Sequence, residues 1–186
     1  MKKLLLSLCA TAVLSACGSM ATMSDSKTVM VGGAAMFPSK DIIDNAVNSK
    51  DHTTLVAAVK AAGLVDTLKS PGPFTVFAPV NAAFDALPAG TVATLLKPEN
   101  KAMLTKVLTY HVVPGRLSAA DLSRQISSGN GRAMLKTASG GNLVASMSGS
   151  NVIITDDGGG SATVTIADVF QSNGVIHVVN KVLLPK

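Results

Sequence analysis

Leu108-Thr109-Tyr110-His111-Val112-Val113-Pro114-Gly115 is the stretch at which the chain changes its period. Before it, Met103, Leu104, Val107 and Leu108 recur at helical spacing, with Lys101, Thr105 and Lys106 on the opposite side. Pro98 and Glu99 open that helix, where a proline and an anion are both favoured. From Tyr110 the residues become strand-like. Tyr110 to Val113 reads as a strand, and Pro114-Gly115 stops it. Alternating segments follow, with turn residues about every eight to twelve positions. Strands are predicted over 133–137, 142–147, 152–155, 163–169 and 175–184, with a helical turn over 118–122 before them. A helical first half and a strand-rich second half, with no βαβ alternation, is the α+β pattern.

Upstream the same reading gives short helices. Ser39 is placed to cap one that carries Ile42, Ile43, Ala46 and Val47 on a single face. Leu55, Val56, Val59 and Ala62 mark the next, and Gly63 is placed to end it. Ser70-Pro71-Gly72-Pro73 is a hard boundary. Phe74 to Ala78 is a strand by residue type, ended by Pro79. Asn81 is placed to cap a helix carrying Ala82, Ala83, Phe84 and Leu87.

The 186 residues are room for one domain. At 47% hydrophobic and 15% charged, the chain is too apolar for a disordered protein and can bury a core. One Tyr, five Phe and no Trp exclude a nucleic-acid platform of stacked rings. The net charge of +5 is spread along the chain with no basic run, so no nucleic-acid partner is expected. Met1-Lys2-Lys3 precedes an apolar run over 4–14, too short to cross a bilayer and suited to a signal peptide over 1–16. Leu14-Ser15-Ala16-Cys17 resembles a bacterial lipobox with Cys17 as the lipidated residue. Gly18-Ser19 follows it without the Asp that retains lipoproteins at the inner membrane, so an exported outer-membrane or periplasmic lipoprotein is expected. Residues 17–37 then form the lipidated N-terminus and a flexible tether, and 38–186 the single domain. Cys9 and Cys17 are the only cysteines, which leaves the domain no thiol for catalysis, metal binding or a disulfide.

Three segments in order, Thr75 to Phe84, Leu108 to Gly115 and Asn173 to Pro185, resemble the fasciclin (FAS1) domain, as does Ala62-Gly63-Leu64-Val65. The resemblance implies a wedge of mostly antiparallel β-sheet with helices packed along one side. It marks Thr75, Phe77, Pro79, Asn81, Phe84, Asn173, Gly174, His177 and Asn180 as structural-motif positions. It departs from the family where Val80 replaces a hydroxyl residue and Asn180 replaces an Asp. It implies adhesion or protein recognition without catalysis, with Tyr110 and His111 as the partner-binding pair. The expected partners are the membrane, through the lipid anchor, and an envelope, matrix or surface protein or a glycan. A monomer is expected. The alternative is a carrier of a small apolar ligand or glycan, which needs an enclosed pocket of roughly 300 Å³ or more.

Read as strand neighbours, Tyr110 and His111 point to opposite sides, one inward and one toward the surface. Their other reading is structural, with the Tyr hydroxyl satisfied and the His bonded to backbone. His52, His111 and His177 show no metal-ligand spacing, and His177 alternates with Val175 and Val179 on one strand face. No metal or cofactor is expected. Asp156 to Ser161 reads as a solvated hairpin loop. Asp168 reads as a cap or hairpin residue. There is no Gly-x-Ser-x-Gly, no His-Glu-x-x-His and a single Glu, Glu99, so no catalytic residue is assigned.

Overall fold

Two glycines start the folded chain. In the computed structural model, which describes residues 28–186, Gly32 and Gly33 both take positive φ, 57° and 75°. That pair of angles makes the two-residue hairpin turn whose twist suits its flanking strands. It joins β1 (Val29–Val31) to β2 (Ala34–Met36), and Val31 and Met36 are buried in the apolar core. The Gly32 carbonyl accepts from Lys50 N–H, and a side chain at Gly32 would collide with Ser49 Oγ. The tether expected to reach residue 37 is therefore corrected: from Val29 onward the chain belongs to the domain, because two apolar residues on one hairpin face reach the core. The signal peptide over 1–16, Cys17 and the tether as far as residue 27 lie outside the described residues.

The helices follow the apolar spacing. They are α1 (Ile42–Ala46), α2 (Thr53–Ala62), α3 (Val65–Lys69), α4 (Asn81–Asp85), α5 (Thr91–Leu95) and α6 (Lys101–Tyr110). Gly63 ends α2 in the left-handed conformation, φ 74°, as its position predicts. Two caps differ from expectation. Asp41, not Ser39, caps α1, since its carboxylate accepts the Asp44 N–H at 2.8 Å. Asn81 lies inside α4, preceded by Val80, which has no side-chain acceptor. Its amide instead accepts from Thr54 N–H and donates to the Lys50 carbonyl, tying α4 to the start of α2.

The strands are β3 (Phe74–Pro79), β4 (Val112–Pro114), β5 (Arg132–Lys136), β6 (Asn142–Ser148), β7 (Asn151–Thr155), β8 (Ser161–Gln171) and β9 (Gly174–Val179), with α7 (Ala119–Ser128) between β4 and β5. They form one sheet in the order β4-β3-β9-β8-β7-β6-β5, antiparallel except where β3 pairs with β9. β8 pairs with β7 through its first residues and with β9 along most of its length, and two register shifts interrupt its ladder with β9, between Val164 and Ile166 and between Ile166 and Val169. Such bulges bend a strand and raise its twist. One apolar core fills the space between the helices and the β3–β9 region; a second lies under α7, within the curl of β5 to β8. This is the α+β class expected from the pattern, with the mostly antiparallel sheet and packed helices that the fasciclin resemblance implies. Several boundaries move: the helical turn expected over 118–122 runs on to Ser128 as α7, and β8 reaches from Ser161 to Gln171. Tyr110 ends α6 and His111 follows it, so neither is a strand residue. The last strand stops at Val179 rather than 184.

Candidate functional site

Tyr110 and His111 were expected to face opposite ways; both are buried. The correction follows from α6 running through Tyr110, so helical and not strand geometry sets their directions. The Tyr110 hydroxyl donates to the Asn142 carbonyl at 2.8 Å and accepts from Asp157 N–H at 3.0 Å. Its ring packs on Gly141, where a Cβ would come within 2.6 Å of it. Burial holds the phenol above its ordinary pKa. His111 Nε2 accepts from Leu183 N–H at 3.0 Å, which leaves Nδ1–H to donate to the Val107 carbonyl at 2.8 Å. The ring is thus a neutral, fully used imidazole, and burial pushes its pKa down to about 4. The two side chains offer no surface to a partner in this conformation.

The motif residues occupy the same kind of position. Thr75 Oγ1 donates to the Gly115 carbonyl and accepts from Leu117 N–H. Phe77 is buried and stacks on His177, ring centroids 5.7 Å apart. Pro79 ends β3, and Phe84 packs in the core beside it. Asn173 Oδ1 accepts from Ile42 N–H, while its amide donates to the Leu68 and Ser70 carbonyls, so one side chain joins α1, α3 and β9. Gly174 lies against the Phe74 backbone, where no side chain fits. His177 Nε2 bonds to the Leu117 carbonyl at 2.8 Å, and burial lowers its pKa. Asn180 Oδ1 accepts from Thr163 N–H at 2.8 Å.

Among the other polar anchors, Asp156, Asn45 and His52 carry no sequence signal strong enough to find them, whereas Asp168 serves as the cap that one of its sequence readings named. Asp156 is not a solvated loop residue but a buried one. Its carboxylate accepts from Gly158, Gly160 and Leu184 N–H. With His111 it pins the C-terminal segment, which needs no strand pairing there. Asp168 sits at φ 58° in β8 and accepts from Ala119 N–H at 2.7 Å, capping α7 beside the Ser118–Asp121 capping box. Asn45 bonds to Gln171 and to both backbone groups of Phe37. His52 Nδ1 meets Ser49 Oγ at 2.9 Å, its Nε2 has no hydrogen-bond partner of acceptable geometry, and burial lowers its pKa.

The three histidines stay apart, and among the described residues no group of three or more His, Cys, Asp or Glu is placed to hold a metal. The enclosed apolar cavity beside Val31, Met36, Val59, Val76 and Leu108 measures about 90 Å³, well short of a ligand-sized pocket. Open grooves lie along Lys40, Asp44, Lys69 and Arg116, and between the edges of β4 and β5. No helix of the described residues is long and apolar enough to cross a membrane.

The fold and these geometries define a single α+β domain whose versatile side chains hold elements together from inside. The fasciclin-domain family model matches residues 50–185. Protein sll1483 of Synechocystis sp. is 48% identical over 163 residues, covering 86% of this chain and 81% of its own. The cell surface glycolipoprotein MPB83 of Mycobacterium bovis is 29% identical over 174 residues, covering 91% and 70%. A solved fasciclin-domain pair from the insect cell adhesion molecule Fasciclin I superposes with a TM-score of 0.69 at 19% identity, covering 79% of this chain and 51% of that one. The chain belongs to the fasciclin family.

Proposed function

We propose that this protein is a noncatalytic recognition module of the bacterial cell envelope, lipid-anchored through Cys17 at the outer membrane and binding an envelope, matrix or surface partner. The observation that carries the reading is the use of Tyr110, His111 and His177, the side chains best suited to chemistry, as internal hydrogen-bonding struts. The exposed surface is left to act. The lipobox-like Leu14-Ser15-Ala16-Cys17 and the lipoprotein name of one relative support the anchor. Two or more acyl chains hold a protein stably, since each buried methylene contributes about 0.8 kcal/mol. The residues from Gly18 to Thr28 could extend at most ~40 Å, so the domain would work close to its membrane.

Metabolic labelling with a fatty-acid probe tests the anchor. The parent chain takes up label and the Cys17→Ser chain does not; equal labelling, or none in either, overturns it. Crosslinking on intact cells tests recognition. A discrete adduct with one envelope component is expected, and its absence across linker lengths, or steady turnover of a substrate by the purified chain, refutes the reading.

A further inference from the structure

We infer that the free edge of β5 is a docking site for an extended, acidic segment of a partner protein, added as one more strand. The inference rests on the recognition reading above and names its site.

The backbone pattern identifies the edge. Thr137 N–H bonds to the Gly141 carbonyl, and the β5–β6 register pairs Leu135 with Leu143 and Ala133 with Ala145. Bonded and non-bonded pairs alternate in an antiparallel ladder. Met134 and Lys136 therefore turn their N–H and C=O groups away from β6, toward an edge that no other strand among the described residues occupies. The opposite end of the sheet, β4, curls round to meet it. One bond closes, from Ala138 N–H to the Val112 carbonyl at 2.7 Å. The next outward-facing residue of β4 is Pro114, which has no N–H to give. Closure stops there and leaves an open groove of about 590 Å³ along Val113, Pro114, Leu117, Gln125, Met134 and Lys136.

The side chains select the occupant. Ala133 and Leu135 face the core, whereas Arg132, Met134 and Lys136 are exposed, Met134 by 72%. Their β6 neighbours on that face, Ser146, Val144 and Asn142, are neutral, and neither cation has an ion pair among the described residues. An added strand with acid, apolar and acid at alternate positions meets all three. A second copy of β5 does not. Antiparallel pairing about Met134 sets Arg132 against Lys136, and like charges directly opposite repel. The same two cations that prevent self-pairing thus favour an acidic strand.

The probe is a peptide of about seven residues alternating Glu with Val, added to the protein as cells make it, purified in detergent. Hydrogen exchange slows at Met134 and Lys136 when it binds. Arg132→Glu/Lys136→Glu weakens it about tenfold and prefers the Lys–Val counterpart. Met134→Pro weakens both peptides while removing no internal ladder bond. Thermal melting confirms that each variant is folded. Equal affinity for both charge patterns, protection appearing elsewhere, no binding at millimolar peptide, or dimerisation through β5 overturns the proposal. If the charge-reversed variant still forms the parent's crosslinked adduct on cells, the edge assignment fails while recognition stands; no adduct from the parent sinks recognition itself.

Discussion

The Tyr110 hydroxyl makes two hydrogen bonds across elements far apart in sequence, to Asn142 and Asp157. Removing it leaves a carbonyl and an N–H without partners, at a cost of about 1–2 kcal/mol. Tyr110→Phe should lower the unfolding free energy by that amount, seen as a lower urea midpoint with an unchanged slope; an unchanged midpoint refutes the strut. Residue identity and order around Tyr110 were readable, since aromatic, histidine, valine pair and Pro-Gly announce a boundary. Direction was not. A two-residue period assigns one side chain outward, but direction follows from which element owns Tyr110, and α6 continues one residue further than the residue types imply. Asp156 was unreadable for a related reason. Asp-Asp-Gly-Gly is ordinary loop chemistry, and only the return of Leu184 to its carboxylate makes it a buried anchor.

Elements with strong periodicity were legible, and those held by tertiary contacts were not. The stripes of α2 and α6 and the alternation of β5 to β7 carry their own burial pattern. The β1–β2 hairpin is too short to show a period; its Gly32-Gly33 turn reads as a break unless Val31 and Met36 are known to reach the core. The bulge in β8 is likewise invisible to alternation, because its purpose lies at α7. Asp168 combines a left-handed backbone, φ 58°, with a carboxylate on Ala119 N–H. Three substitutions separate these roles. Asp168→Asn keeps an acceptor and tolerates the backbone, so it should be nearly neutral. Asp168→Gly relaxes the backbone but loses the cap, costing about 1 kcal/mol. Asp168→Ala loses the cap and strains the backbone, costing about 2 kcal/mol or more. Denaturant melts that fail to give the order Asn, Gly, Ala would refute the double role.

Across the molecule the histidines join what the elements alone would leave apart. His111 ties the end of α6 to the C-terminal segment, His177 ties β9 to the approach to α7, and His52 ties the start of α2 to Ser49. Burial depresses the pKa of all three, that of His111 to about 4. An unfolded histidine takes up a proton near pH 6.5. Between that value and each lowered folded value, the unfolded chain binds more protons than the native one, so stability falls as pH falls. The contribution is complete above about pH 6.5 and is lost progressively toward pH 4; for His111 alone it approaches roughly 3 kcal/mol. The carboxylate of Asp121, held below its ordinary range by Ser118, titrates below this window and does not mimic it. Urea midpoints should therefore drop steadily from pH 7 to pH 4.5, and His111→Gln, though less stable at pH 7, should show a shallower slope. A parent midpoint that is flat across this interval would mean that the native rings take up protons as readily as unfolded ones, and the acceptor role assigned to His111 Nε2 toward Leu183 N–H would fail.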